Sequence, residues 1–569
     1  MIIIKEESKD YYIFIILLLA LSLFATLIYL PENRLYPGYD IYFHYGRIKA
    51  LIQSIQDGSF PVYIESEAAN GYGYGTKLFY SDFLLIPAAL LAIITNLVFS
   101  YKVFIFFNLF LCGFFTRKAV TNIFKSEQIG YLSGILVTFS YFRLTGLFLR
   151  GGLSESLSFI FIPVIAWGIY EIIQGNYKKW YIFSIGFAFL IMSHLITSLL
   201  TAIIVLFVLI VNGQKFIKEK KRFYVLVISG IVILFLSAYG TLPLFEQLST
   251  NTFYQTLSKD LNTPAQTKLA FSEITKGLVT GFIIDIDNPL HHGVGILLVV
   301  LVNLRVFIRK RNYQIKLADY SLILGIISIL VTSAIFPWGK FPFTLLKSIQ
   351  YPWRLFEYTT FFFAVSGATY IYHIFKTKKK YLIASGIILI ASIVQIFINS
   401  YNFRNSKFLN SFADAPPSVE NLFFLGGLEY TPLKYVLFDY NFWDRIAQRE
   451  EEIECQYKST EISDYVHDKN SIKLNIDTKS KVDSIIVPLF YYAGYQAVFN
   501  EKKLPLFQSK NGLLSIPVKG TGKLEVDFKG TIIQKYSLYI TLLSMVILIL
   551  YIYYPNRCKN INKANFYKK

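Results

Sequence analysis

Long apolar runs constrain this chain more than anything else in it. A helix that crosses a membrane needs ~20 mostly apolar residues. Runs of about that length recur near 11–30, 102–118, 129–148, 156–175, 180–194, 196–212, 223–244, 292–308, 318–336, 355–375, 381–399 and 536–554. With 54% of its 569 residues hydrophobic, the chain has more apolar surface than a water-soluble core takes up. The expectation is a polytopic α-helical protein of the cell membrane, a multi-pass chain with about 12 spans. Thr26-Leu27-Ile28-Tyr29-Leu30-Pro31 after the first run has no small-residue cleavage site, so that run reads as an uncleaved anchor.

The net charge of +19 sits mostly in short clusters between those runs: Arg117, Lys118 and Lys125, then Lys178 and Lys179, then 215–222, 309–311, 376–380 and 557–569. Lys and Arg beside span ends mark cytoplasmic loops, so the charge reads as a topology signal and no nucleic acid is expected as a partner. Holding every basic loop on one side requires the apolar stretch 83–99, which contains Pro87, to be a re-entrant or interfacial segment. In the opposite model 83–99 spans and loop 31–82 is cytoplasmic, although its acids outnumber its bases. The first topology collects 31–82, 149–155, 245–291, 337–354 and 400–535 on the outer face.

Three regions follow: a transmembrane domain over 1–400 with external loop 31–82, a hydrophilic region over 401–535, and a final span with a basic tail over 536–569. Ser471-Ile472-Lys473-Leu474-Asn475-Ile476-Asp477 and Lys523-Leu524-Glu525-Val526-Asp527-Phe528 alternate with period two. Turn signals at Asn511-Gly512, Gly520 and Gly522 separate such runs. That pattern predicts an extracytoplasmic antiparallel domain resembling a β-sandwich.

Candidate chemistry lies at the outer face. Asp40 stands in a Gly-Tyr-Asp turn after the first run, with His44 and Arg47 four and seven positions on. A helix would align all three on one face. A carboxylate beside an imidazole can accept a proton from a hydroxyl, and the structural alternative is an Asp40–Arg47 ion pair. Arg150-Gly151-Gly152 followed by Glu155 combines a phosphate-binding cation, a glycine pair that lets backbone N–H groups approach an anion, and an acid opening the next helix. His194 lies between two apolar runs, and Arg354 re-enters the membrane among aromatics. Asp285, Asp287, His291 and His292 carry metal-ligand chemistry, but their spacing matches no particular site. No Walker loop, dinucleotide fingerprint or zinc-ligand cluster is present.

Gly38-Tyr39-Asp40 with His44 and Arg47, Asp57-Gly58-Ser59-Phe60-Pro61, Asn70-Gly71-Tyr72-Gly73-Tyr74 and Arg150-Gly151-Gly152 with Glu155 come in an order that resembles a known group. It is that of the bacterial membrane proteins labelled 6-pyruvoyl-tetrahydropterin synthase-related, and of the similar YfhO-like proteins, in the GT-C glycosyltransferase superfamily. The ending, Pro488-Leu489-Phe490-Tyr491-Tyr492-Ala493-Gly494-Tyr495 and a β run into the last span, resembles the YfhO type. The resemblance implies a GT-C-like membrane domain and sugar transfer from a polyprenyl-phosphate donor to an extracytoplasmic glycan or protein acceptor. It implies Asp40 and Glu155 as catalytic acids. With that chemistry, Arg150 and Arg354 are expected on the donor phosphate, and His44, Arg47 and His194 as further substrate-binding residues. A groove beside 83–99 is expected to hold the prenyl tail in contact with membrane lipid. The Gly-Tyr-Asp turn carries one acid and not an adjacent pair, so a divalent metal is not indicated and no cofactor is expected. The rival functions are a flippase or transporter of lipid-linked saccharides, which midplane charges would mark, and a non-catalytic cell-envelope assembly protein.

Overall fold

The computed structural model describes residues 9–281, 293–406, 425–439, 441–449, 453–456 and 460–566. Asp285, Asp287, His291 and His292 lie outside the described residues. The molecule is mostly helical with an antiparallel sheet near its C-terminal end. Among the described residues six helices are long and apolar enough to cross a membrane: Lys9–Tyr29, Leu97–Phe124, Leu153–Ile173, Tyr313–Thr332, Lys378–Arg404 and the Ile532–Tyr553 part of the last helix. Two bent pairs raise the number to eight, Glu127–Thr138 with Tyr141–Leu149 at 41° and Lys220–Leu236 with Ala238–Thr250 at 76°.

The expected twelve spans are therefore not reached by length and composition. The runs at 180–194 and 196–212 form helices Tyr181–Ser193 and Leu195–Val211, which meet at His194 as the sequence placed them and are each shorter than a full span, and that at 292–308 yields Ile296–Asn303 and a short 3-10 turn. Leu195–Val211 and Ile296–Asn303 each bury one face and leave another exposed, with Leu200 and Leu301 buried and Val211 and Val300 more than half exposed. The apolar surface left over points outward: Ile16, Leu206 and Ile210 are each more than half exposed, as a lipid-facing surface requires.

The 83–99 stretch does not cross as one helix. Pro87 opens a nine-residue helix, Ile86–Ile94. The chain then reverses, and the Asn96 side chain accepts a hydrogen bond from the Phe99 N–H to start Leu97–Phe124. Ser100 donates back to the Ala88 carbonyl at 2.5 Å, closing a hairpin of helices. The 102–118 run thus begins earlier than its hydropathy indicated.

Among the described residues the sheet has seven strands, β1 (Glu454–Cys455), β2 (Thr460–Asp468), β3 (Ser471–Phe490), β4 (Tyr495–Phe499), β5 (Lys502–Leu504), β6 (Phe507–Gln508) and β7 (Leu513–Phe528). Its order is β1-β3-β7-β4-β5, with β2 added on β3 and β6 on β7. This is one sheet and not two facing ones. β3 and β7 are long enough to carry different neighbours at their two ends, and their register slips between Thr478 and Asp483 and again between Val487 and Phe490. Such irregularities bend a ribbon. The buried face, with Ile472, Leu474, Ile476, Leu524 and Val526, packs against Tyr63, Tyr72, Tyr74 and Phe79 of loop 31–82 in one apolar cluster. Loop 31–82 and the sheet are thus built together over the same end of the bundle. The opposite end gathers basic residues: Lys118 lies over Trp167, Lys125 over Tyr170 and Arg222 over Tyr177.

Candidate functional site

Asp40 is the residue before helix Ile41–Gln56 and makes no side-chain cap hydrogen bond. Its backbone N–H donates to the Arg150 carbonyl at 2.9 Å. That contact pins the first external loop to the turn at Arg150-Gly151-Gly152. The glycine pair has a packing reason. Gly151 has φ +72, and a Cβ there would lie 2.7 Å from the Cβ of Ile41. A Cβ on Gly152 would meet the Arg150 guanidinium at 2.1 Å. The expected anion-cradling backbone is instead satisfied within the chain, Gly152 N–H on Gly146 O and Leu153 N–H on Gly151 O. The pair lets two loops touch and gives Arg150 its place.

Arg150 bridges two acids. Its Nη2 donates to Glu155 Oε2 at 2.5 Å and its Nε lies 3.7 Å from Asp40 Oδ2. Arg354 brings its Nε to 3.7 Å from the same Glu155 oxygen, and both guanidinium groups lie over the Trp353 ring. Glu155 and both arginines are nearly enclosed, whereas the Asp40 side chain is 53% exposed. The exposure is into a cavity of about 380 Å³, which Asp40 lines with His44, His194, Arg354, Lys259 and Glu429. Arg150 is not among the lining residues, so Arg354 is the arginine that reaches this cavity.

Enclosure by the cleft walls raises the Asp40 carboxyl above its ordinary value. Arg150 pulls it back, Glu155 pushes it further up, and Arg354 again lowers it. Burial also lifts the Glu429 carboxyl, with the Asp40 charge adding to it, and lowers the Lys259 ammonium, which Glu429 opposes.

The expected alignment of Asp40, His44 and Arg47 does not form. Arg47 is 1% exposed and does not pair with Asp40. It donates to Ser81 O at 2.5 Å and Ser154 Oγ at 3.3 Å, and lies over the Tyr80 ring. Its Nη1 also meets His44 Nδ1 at 3.2 Å. A guanidinium only donates, so Nδ1 is the acceptor and the proton of neutral His44 sits on Nε2. Burial first, and Arg47 second, hold His44 well below the ordinary histidine range. His44 therefore enters the cavity wall as a neutral donor and not as a partner of Asp40. His194 caps helix Leu195–Val211, its Nδ1 accepting from Thr197 N–H at 3.3 Å.

Two acids and a lysine at this site carried no role in the sequence reading. Glu357 is fully buried and accepts a hydrogen bond from the Thr197 hydroxyl at 3.3 Å. Glu429 arrives from the segment before the sheet, which is held at the cleft by Gln255 N–H on Glu429 O at 2.7 Å and by Phe79 stacked on Tyr430 at 4.8 Å. A signal for it exists: Gly426-Gly427-Leu428-Glu429 repeats the two glycines, leucine and nearby acid of Gly151-Gly152-Leu153-Ser154-Glu155. Lys77 is 4% exposed; it pairs with Asp82 at 2.8 Å and donates to the Arg47 carbonyl. Among the described residues no group of three or more His, Cys, Asp and Glu side chains is placed to hold a metal ion.

Helix Leu195–Val211 lines the Asp40 cavity and also a second, apolar one. Leu199 lines the cleft. Its neighbour Leu200, with Ile203, Phe207 and Leu355, lines an apolar cavity of about 230 Å³. Ile204, Leu324 and Phe362 line that cavity and a further apolar one of about 220 Å³. Helix Leu195–Val211 contributes to all three spaces. These apolar cavities lie along helix Leu195–Val211, apart from the groove expected beside 83–99.

No family model matches the chain. A protein from Lactococcus lactis subsp. cremoris (strain MG1363), described as uncharacterized, is 25% identical over a 605-residue alignment that covers 96% of each chain. Among solved structures, the apo crystal structure of the Archaeoglobus fulgidus oligosaccharyltransferase is similar at a TM-score of 0.39 and 11% identity, over 78% of this chain and 69% of that one. A likeness at that level does not determine function.

Proposed function

We propose that this chain is an integral membrane glycosyltransferase that moves a sugar from a polyprenyl-phosphate carrier to an acceptor hydroxyl outside the membrane. One observation carries the reading. A half-exposed carboxylate and an arginine line one cavity, and helix Leu195–Val211 lines both that cavity and an apolar one. A substrate with an anionic head and a long apolar tail matches that combination of walls.

In the reaction, Asp40 accepts the proton of the acceptor hydroxyl as its oxygen bonds to the sugar C1. The bond from C1 to the phosphate oxygen breaks, and its electron pair stays on the polyprenyl phosphate. Arg354 neutralises that charge, the kind of preorganised stabilisation that is worth most in an enclosed site. Arg150 reaches Asp40 and Glu155 but not the cavity; its role is to hold the base in place and restrain its basicity. His44 offers its Nε2–H to the sugar or phosphate. Glu155 fixes the two arginines in place of acting on substrate directly. The polar groups lie together at one end of the bundle, which favours an enzyme over a flippase whose charges line a midplane path.

The test compares lipid extracts of cells with and without the protein by mass spectrometry. A polyprenyl-linked sugar should accumulate in its absence, and a plasmid copy should clear it. An unchanged lipid pool with an unchanged surface glycan would refute the proposal.

A further inference from the structure

The cleft is one of three cavities floored by the same helix. Phe43 and His44 of Ile41–Gln56 face the Asp40 cavity. Gly46, Lys49, Ala50 and Gln53 face a second cavity of about 430 Å³. Ala50, Gln53 and Ser54 face a third of about 720 Å³, walled by strand ends of the sheet and the start of the last helix. Leu425 lines both the first and the second, and Ala50, Gln53, Glu65 and Ser66 line both the second and the third. The three therefore follow one another along a helix that rises ~1.5 Å per residue.

We propose that this row of cavities is a binding track for a saccharide chain, leading away from Asp40 over helix Ile41–Gln56 to the space between the sheet and the last helix, and that the transfer acceptor is a glycan. The choice of acceptor rests on the transferase proposal; the track itself does not.

Two acceptor oxygens along the track lack partners among the described residues. Glu65 is 8% exposed, and its Oε1 receives no hydrogen bond among the described residues. It stands where the second and third cavities meet. Asn470 Oδ1, in the third cavity, is likewise unpartnered. Buried acceptors left unsatisfied are costly, and hydroxyl groups of a ligand would satisfy them. Burial raises the Glu65 carboxyl, with Lys77 opposing. The charges in the third cavity are largely matched, Lys469 with Asp57 at 2.6 Å and Lys529 with Asp527 at 3.1 Å. A strongly charged polymer of either sign is therefore not selected.

Phe60, Tyr63, Tyr536 and Tyr539 give the same cavity aromatic walls. Apolar ring faces next to hydrogen-bonding groups suit a sugar, which has C–H faces and hydroxyl edges. An extended peptide is recognised by pairing along a strand edge. The sheet instead offers this cavity the turn between β2 and β3 and the end of β7.

The test uses full-length protein in lipid nanodiscs. It is titrated by calorimetry with size-separated oligosaccharides cut by mild acid from the host cell's own surface polysaccharide, and separately with an unstructured host-wall peptide. Affinity should rise with oligosaccharide length over the first several sugars. Ala50→Trp, which fills the passage without removing a polar group, should weaken the longer oligosaccharides at least tenfold and leave the shortest unaffected. Glu65→Gln should weaken them several-fold while expression and thermal stability stay normal. Affinity independent of length, longer oligosaccharides unaffected by Ala50→Trp, or binding of the peptide alone would overturn the track. If oligosaccharides bind as described but the natural protein transfers no sugar, the transferase proposal fails and the track stands.

Discussion

Replacing Glu155 by Gln should cost far more stability than replacing an acid in a surface pair, and the structure sets the scale. Glu155 Oε2 takes a hydrogen bond from Arg150 Nη2 at 2.5 Å and has Arg354 Nε at 3.7 Å. The side chains of Glu155, Arg150 and Arg354 are 6%, 11% and 12% exposed. Gln keeps the shape but leaves two enclosed guanidinium groups without their shared anion. Breaking a buried ion pair from one side costs about 3–5 kcal/mol. Asp40 remains 3.7 Å from Arg150 Nε and offsets part of this, so the lower end, about 3 kcal/mol, is expected. The matched control is Glu32→Gln. Glu32 pairs with Arg34 at 2.6 Å, but the two side chains are 60% and 53% exposed, so its loss should stay below about 1 kcal/mol. Both variants would be unfolded reversibly in mixed micelles by titration with sodium dodecyl sulfate. A Glu155→Gln protein no less stable than Glu32→Gln would refute the buried clamp.

The acid limb of transfer against pH should lie above the ordinary carboxylate range, because Asp40 must be ionised to act and its enclosure raises its pKa. Arg150→Gln removes the strongest opposing charge and should move that limb to higher pH; a limb that stays put or moves down would contradict the assignment. For folding the sign runs the other way. The raised Asp40 carboxyl adds stability below its unfolded value, and that stability is lost as pH rises through the folded one. Sidedness follows from the basic end of the bundle. With Cys112, Cys455 and Cys558 replaced, cysteines at Lys118, Lys220 and Lys378 should resist an impermeant thiol reagent in intact cells, and cysteines at Glu67 and Lys473 should react. Labelling of Glu67 and Lys473 on opposite sides would break the topology.

Asp40, Glu155 and Arg354 stood out in the sequence because a charge beside an apolar run has few structural uses, and the structure brings all three to one site. Arg47 was misjudged for a physical reason. Helical spacing aligns positions 40, 44 and 47, but Asp40 precedes the helix proper, and the Ser81 carbonyl and Ser154 claim the arginine from other segments. Glu357 and Glu429 enter the site through tertiary packing that no local pattern reports. Six to eight of the twelve expected spans are shown among the described residues, because hydropathy measures a run's length and not its straightness: the chain turns by 76° between Leu236 and Ala238 within one run. The apolar cavities along Leu195–Val211 were not legible in the sequence, because composition shows that a helix has apolar faces, not which of them borders a gap.

The most direct test is transfer by purified, reconstituted protein carrying Asp40→Asn, set beside Arg47→Gln. Asparagine preserves shape and removes the base, so protein level and thermal stability should match the natural protein while the rate of glycan product formation falls about 10²–10⁴-fold. Arg47→Gln should instead lower stability, through the lost contacts to Ser81 and Ser154. Undiminished product from a well-folded Asp40→Asn protein would remove Asp40 from the mechanism, and with it the transferase account.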